Sequence, residues 1–202
     1  MPAHCRAWIS AFKSAAGLDV TEREIYLLEG MRGEELVRKV FSQKGFTDHS
    51  VAAQVVKEKN ANFRKSPSPK AFPGVEEMIQ SLICRKAVVS GSEKSDVEEI
   101  IRNAFRNKTG LFDLLITAGD ISKGKPDPSA FLLALKKLDI NPADAMVVEN
   151  APLGAMASNR AGIPCVVVLN DSPLGRTDFD GIIGSDRIFE KTTSISHLLF
   201  AQ

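Results

Sequence analysis

The chain has 202 residues, which suits one mid-sized domain or a domain carrying a smaller insert, and is enough to bury a core without disulfide staples. Its 26 basic and 25 acidic side chains leave a formal net charge of +1, so there is no electrostatic ground for a nucleic acid or an anionic membrane as partner. Hydrophobic residues at 44% and charged residues at 25% are ordinary for a soluble globular protein, and no apolar run approaches the ~20 residues of a membrane span.

The first third reads as helices only. Cys5, Trp8, Ile9, Phe12 and Ala16 recur at helical spacing, as do Leu36, Val37, Val40 and Phe41. Val51, Val55, Val56 and Phe63 predict a further helix with Asp48 as its N-cap. The stretch "RKSPSPKAFPG" follows, with prolines at 67, 69 and 73. Proline can neither donate within a helix nor sit in a central strand, so this stretch is a linker. It divides a helical part, residues 1–66, from a second part, residues 67–202.

Beyond the linker, short apolar runs alternate with amphipathic stretches. "KAVVS" precedes Val97, Ile100, Ile101, Ala104 and Phe105; "DLLIT" precedes Phe131, Leu132, Leu135 and Leu138. "AMVVE" precedes "APLGAMASNRAG", and "PCVVVLN" comes next. Strands alternating with helices imply right-handed crossovers and a parallel sheet covered on both faces, a three-layer α/β arrangement. No internal repeat or low-complexity tract is present. Cys5, Cys84 and Cys165 are too scattered for a disulfide framework and read as small, reduced core residues. With no leader pattern at the start and no heptads, a cytoplasmic monomer is the default.

Ligands of open parallel sheets sit outside the carboxyl ends of the strands. Ser90-Gly91-Ser92 ends the first run, Lys125-Pro126 follows the second, and Glu149-Asn150 ends the third. A Ser-Gly-Ser before a helix offers a hydroxyl and free N–H groups to an oxyanion. Lys125 supplies an ammonium, and Glu149 with Asn150 supplies oxygens suited to a hard cation such as Mg²⁺. Taken singly, Ser90 also fits a helix N-cap, Lys125 a solvated lysine and Asn150 a helix cap. Their order and shared edge give the three groups their meaning together.

The runs "VVSGSEKSDVEEI", "ISKGKPDPSAFLLAL" and "MVVENAPLGAMASNRAGIPCV" resemble the second, third and fourth motifs of the haloacid dehalogenase superfamily, in its β-phosphoglucomutase-like branch. The resemblance implies a Rossmann-like core with a small helical cap, and Mg²⁺-dependent phosphoryl transfer on a small phosphorylated substrate through an aspartyl-phosphate. It implies that Ser90 binds the transferring group, with Gly91 and Ser92 beside it, that Lys125 neutralises phosphate, and that Glu149 and Asn150 hold Mg²⁺. Many relatives carry aspartate where Asn150 stands, and the amide has one negative charge fewer for the metal. "MPAHCRAW" and "LLEGMRGEEL" are similar to cap segments, which would bring His4, Glu29 and Arg32 to the substrate. Each of these also fits a surface helix or a solvated turn. Phosphatase, sugar-phosphate mutase and non-catalytic phosphate binder all remain open readings.

The family's nucleophile and proton carrier lie in an Asp-x-Asp ending a first core strand ahead of the cap, and no such strand is found here. The sole Asp-x-Asp, Asp178-Phe-Asp180, follows "SPLGRT", whose Pro173 and Gly175 belong to a loop. That spelling reads as a turn, and negligible turnover is expected of this sequence.

Overall fold

The computed structural model describes residues 1–67, 69–106 and 110–195. The helical part opens with α1 (Pro2–Ala16), begun by proline in the first turn and ended by Gly17 at φ 66°, a left-handed conformation that glycine adopts without strain. In α2 (Glu22–Leu27) the Thr21 hydroxyl and Glu24 carboxylate cap each other's backbone N–H. Next come α3 (Gly33–Lys44) and α4 (Ala52–Arg64). Asp48 caps the 3-10 turn His49–Val51 ahead of α4 rather than α4 itself. Phe12, Val37, Val40, Phe41 and Val55 interlock in a core of fully buried side chains where α1 and α3 lie on α4.

After the proline-rich stretch, α5 (Val75–Ser81) precedes a regular alternation: β1 (Ala87–Val89), α6 (Lys94–Ala104), β2 (Leu114–Ile116), α7 (Ser129–Leu138), β3 (Val147–Glu149), α8 (Pro152–Arg160), β4 (Cys165–Val168) and β5 (Ile188–Phe189). All strand pairings are parallel. Around β4 the layers are clear. Cys165 and Val167 pack with Ala155 and Ala157 of α8 on one face, and Val166 and Val168 with Met78 of α5 and Ile195 on the other. The expected α/β architecture with parallel strands and a small helical part is therefore observed. Cys84 departs from the sequence reading. It lies in the turn between α5 and β1 and is exposed, whereas Cys5 and Cys165 are buried.

The strands fall into two groups, β1–β2 and β3–β4–β5, and no strand among the described residues joins β1 to β3. Alternate residues of a parallel ladder turn their N–H and C=O to opposite sides. The Ser90 N–H donates to Ile116 O (2.9 Å), so Val88 faces β2, and Ala87 and Val89 face the gap. The Val147 N–H donates to Pro164 O (2.8 Å), so Val148 and Asn150 face it from the other side. β4 is wholly buried, whereas Val148 of the adjoining β3 is 45% exposed. The sheet therefore has a slot between two edges running the same way.

Candidate active site

Three loops at the strand ends meet at a cavity of about 680 Å³, whose walls include Ser90, Gly91, Ser92, Lys125, Glu149 and Asn150. The slot opens into it through Ala87, Val88, Val89 and Val148. His4, Glu29 and Arg32 reach the same cavity from the helical part. All nine residues singled out in the sequence are thus brought together.

Ser90 is not the cap of α6, because Glu93 occupies that position. Its hydroxyl accepts the Ser92 N–H (3.1 Å), which leaves the hydroxyl proton to donate into the cavity. Gly91 lies so close to the loop opposite that a Cβ would meet Gly30 O at 3.0 Å and Met31 O at 3.1 Å.

Lys125 is 8% exposed and follows Gly124 in a loop with a cis Lys125–Pro126 peptide. Its ammonium donates to Val89 O (3.2 Å), pairs with the Glu149 carboxylate and lies 4.8 Å from the Phe131 ring centre. One side chain thereby spans the top of the slot from β1 to β3. The second Glu149 oxygen accepts the Asn150 N–H (3.2 Å). Glu149 lies against the first turn of α8, where a Cβ on Gly154 would come within 2.1 Å of its carboxyl carbon. Only glycine fits there while that carboxylate keeps its place.

The helical part contributes buried titratable groups. Glu29 accepts the Asn150 side-chain amide (2.7 Å), and burial pushes its carboxyl up to about 7, against the pull of the N-terminal ammonium and that hydrogen bond. His4 stacks on Phe63 at 3.8 Å between ring centres, and burial, followed by the nearby Lys59 ammonium, pushes it down to about 3. Arg32 directs one guanidinium N–H to Ser122 O (3.0 Å).

The two shifts oppose each other in their effect on folding. His4 charges in the unfolded chain below about 6.5 but in the folded chain only near 3, so its contribution is lost as pH falls through that window. Glu29 ionises in the unfolded chain above about 4.5 but in the folded chain only near 7, so stability is lost as pH rises between them. Urea unfolding in metal-free buffer should therefore show a flat stretch between about pH 4.5 and 6.5. Glu29→Gln should convert that stretch to a rising slope and make the protein more stable than the parent at pH 8. An unchanged profile would mean that Glu29 is ordinary in acidity.

Sequence reasoning missed Lys59, which is 6% exposed although it is a lysine. Its ammonium lies 5.4 Å from the Trp8 ring centre and 5.3 Å from that of Phe63, bonds Asn60 Oδ1 (3.2 Å), and forms no ion pair among the described residues. The helical pattern of Val55, Val56 and Phe63 gave the face of α4 but not which lysine would turn inward. It missed Glu35 as well, whose carboxylate meets the Gly124 N–H (3.0 Å).

Asp178 and Asp180 lie elsewhere. Asp178 belongs to the 3-10 turn Arg176–Phe179, where it accepts the Gly175 N–H (2.9 Å) and pairs with Arg23 of α2. Neither aspartate lines the cavity. Among the described residues the one aspartate that does is Asp96, which pairs with Arg64 at 3.9 Å.

As a metal site, Glu149 and Asn150 offer a carboxylate and an amide oxygen on adjacent residues, with the Glu29 carboxylate beside them. No group of three His, Cys, Asp or Glu capable of enclosing a metal occurs among the described residues. This donor set fits Mg²⁺, which keeps waters and substrate oxygens in its shell, and not a cation caged by protein alone.

Comparison with known proteins gives a consistent result. The sequence model of the haloacid dehalogenase-like hydrolases matches residues 4–168. YhcW of Bacillus subtilis (strain 168), named as a phosphatase, is 29% identical over 190 residues, covering 92% of this chain and 84% of its own. Among solved structures, a Bacteroides vulgatus protein described as a beta-phosphoglucomutase superposes with a TM-score of 0.83 at 28% identity, over 100% of this chain and 84% of that one. CbbY from Rhodobacter sphaeroides, in complex with xylulose-(1,5)bisphosphate, gives a TM-score of 0.73 at 25% identity over 94% and 87%. With the model match spanning most of its length, the chain belongs to the haloacid dehalogenase-like hydrolases.

Proposed function

We propose that the site serves Mg²⁺-dependent phosphoryl transfer, with water as the acceptor and a small phosphorylated metabolite as the donor. The observation that carries this reading is the meeting of Ser90, Lys125 and Glu149–Asn150, from three separate strand ends, at one roofed cavity. The Ser90 hydroxyl and the Gly91 amide bind oxygens of the phosphoryl group, with the Ser92 N–H orienting that hydroxyl. Two N–H bonds of Lys125 are taken by Val89 O and Glu149, and the third is left for a phosphoryl oxygen. Glu149 and Asn150 would hold Mg²⁺, which when bound offsets charge on the transferring group.

The helical part acts as a cap that excludes water and selects substrate through His4, Glu29, Arg32 and Lys59. Lys59 suits a second anionic group on the substrate, and the bisphosphate in the CbbY complex is a ligand with two such groups.

The attacking carboxylate is the part these residues do not supply. Asp96 is buried in the first turn of α6 with Arg64 as its ion-pair partner, and Asp178 is committed to Arg23. An aspartate arriving on a strand in the slot would stand between Ser90 and Glu149. The likeness to a protein described as a beta-phosphoglucomutase keeps a mutase as the second reading, with a sugar hydroxyl in place of water as acceptor.

The test is thermal unfolding with inorganic phosphate and Mg²⁺, alongside turnover of p-nitrophenyl phosphate. Phosphate should raise the melting temperature of this chain, and Ser90→Ala should remove the effect, while turnover stays at background. The reading fails if phosphate produces no shift. The missing-nucleophile part fails if Mg²⁺-dependent turnover is strong and Asp178→Asn abolishes it.

A further inference from the structure

The loop that presents Lys125, residues 121–128, has no strand ladder or α-helix of its own to hold it. Arg160 of α8 donates to Pro126 O (2.7 Å) past the lysine, and the helical part holds the stretch that leads up to it. The Lys125 N–H donates to Gly30 O (2.9 Å), and Arg32 donates to Ser122 O (3.0 Å). Between them, one Glu35 oxygen accepts two backbone N–H groups, that of Arg32 at 3.0 Å and that of Gly124 at 3.0 Å. The first bond closes the start of α3 in the manner of a local helix cap. The second crosses 89 positions of sequence to the residue just before Lys125.

The packing confirms how close this approach is. A Cβ on Gly124 would come within 2.5 Å of the Arg32 nitrogen, 2.6 Å of Glu35 Oε2 and 2.8 Å of Met31 Cα. Gly30, at φ 100°, is in a conformation side chains rarely adopt, with Lys125 Cδ only 2.9 Å from where its Cβ would be. Two glycines thus let two backbones meet, and one carboxylate ties them.

We infer that Glu35 is a positioning residue for Lys125: its carboxylate couples the placement of the cap loop, residues 29–35, to the location of the ammonium in the phosphoryl site. A hydrogen bond to an ionised acceptor is stronger than a neutral one, so the tie depends on the charge as well as the shape of Glu35. Because Gly124 and Lys125 are consecutive, releasing the Gly124 amide frees the Lys125 backbone as well. Misplacement by about 1 Å is enough to cost on the order of a hundredfold in a reaction that depends on positioning. The inference rests on the phosphoryl-transfer reading for its consequence, though not for its structural content.

Backbone hydrogen exchange of the full chain tests it, with inorganic phosphate affinity as a second readout. Glu35→Ala and Gly124→Ala each break the tie from opposite sides: the first removes the carboxylate that caps α3, whereas the second keeps that carboxylate and crowds it and the Arg32 nitrogen from across the gap. Both should speed exchange at the Lys125 amide by tenfold or more and weaken phosphate binding several-fold, while the Val37 to Phe41 amides in the Gly124 variant keep parental protection. Glu35→Gln, which keeps the shape without the charge, should fall between parent and alanine. The inference is overturned if Lys125 exchange stays within twofold of the parent in both alanine variants, or if only Glu35→Ala changes and α3 loses protection with it. Should the parent bind no phosphate while the exchange pattern holds, phosphoryl transfer is the idea that falls and the tie stands.

Discussion

Lys125→Met should be among the most destabilising single substitutions in this protein. The ammonium and the Glu149 carboxylate are both about nine-tenths buried, and methionine leaves the carboxylate with no cation opposite it. Breaking a buried pair from one side costs about 3–5 kcal/mol, a large part of a typical total of about 5–15 kcal/mol. The Val89 carbonyl loses its donor at the same time, and the slot loses the side chain that bridges its upper end. Urea denaturation at neutral pH reads the loss. The double variant Lys125→Met, Glu149→Leu should recover much of it, since removing both side chains leaves no buried charge unpaired. A single variant within about 1 kcal/mol of the parent would mean that water reaches Glu149 freely, with the pair contributing no more than a surface one.

The second large effect concerns the slot. Ala87 and Val89 face Val148 and Asn150 across it, and among the described residues two of these backbone groups have side-chain partners: Val89 O with Lys125, and Asn150 N–H with Glu149. Met1 lines the same cavity. Five valine and isoleucine residues joined ahead of Met1 by a flexible glycine linker should therefore enter as a parallel strand. Each backbone hydrogen bond so formed contributes roughly 0.5–1.5 kcal/mol, and Val148 becomes covered. The urea midpoint should rise well above that of a control extension of glycine and serine of equal length. Equal midpoints for the two extensions would show that the gap does not accept a strand.

How much of this was legible beforehand depended on the kind of information a residue carries. Strand and helix positions followed from the apolar runs and their spacing, most plainly in "PCVVVLN", because a strand buried on both faces has no polar residues to blur it. Ser90, Lys125, Glu149 and Asn150 were found because strand ends in a parallel sheet share one edge, a topological rule that needs no coordinates. Lys59 could not be found in this way. Its burial depends on the rings of Trp8 and Phe63 coming together from two helices. Glu35 was hidden for a similar reason: a glutamate at the third position of a helix already has a local role, and its bond to Gly124 exists only once the two parts are folded together. Cys84 was misjudged because composition carries no information on which cysteine falls in a turn.

The buried lysine has a practical consequence for spectroscopy. Trp8 is the sole tryptophan and Tyr26 the sole tyrosine, and both belong to the helical part. Emission excited at the red edge of indole absorption therefore comes entirely from that part. Trp8 also forms a wall of the cavity, with the Lys59 charge beside its ring. An anion drawn to that charge changes the field on the indole, so ligand arrival can be followed optically with no label attached. Far-ultraviolet circular dichroism reports on both parts, and any mismatch between the two traces separates the halves of the molecule.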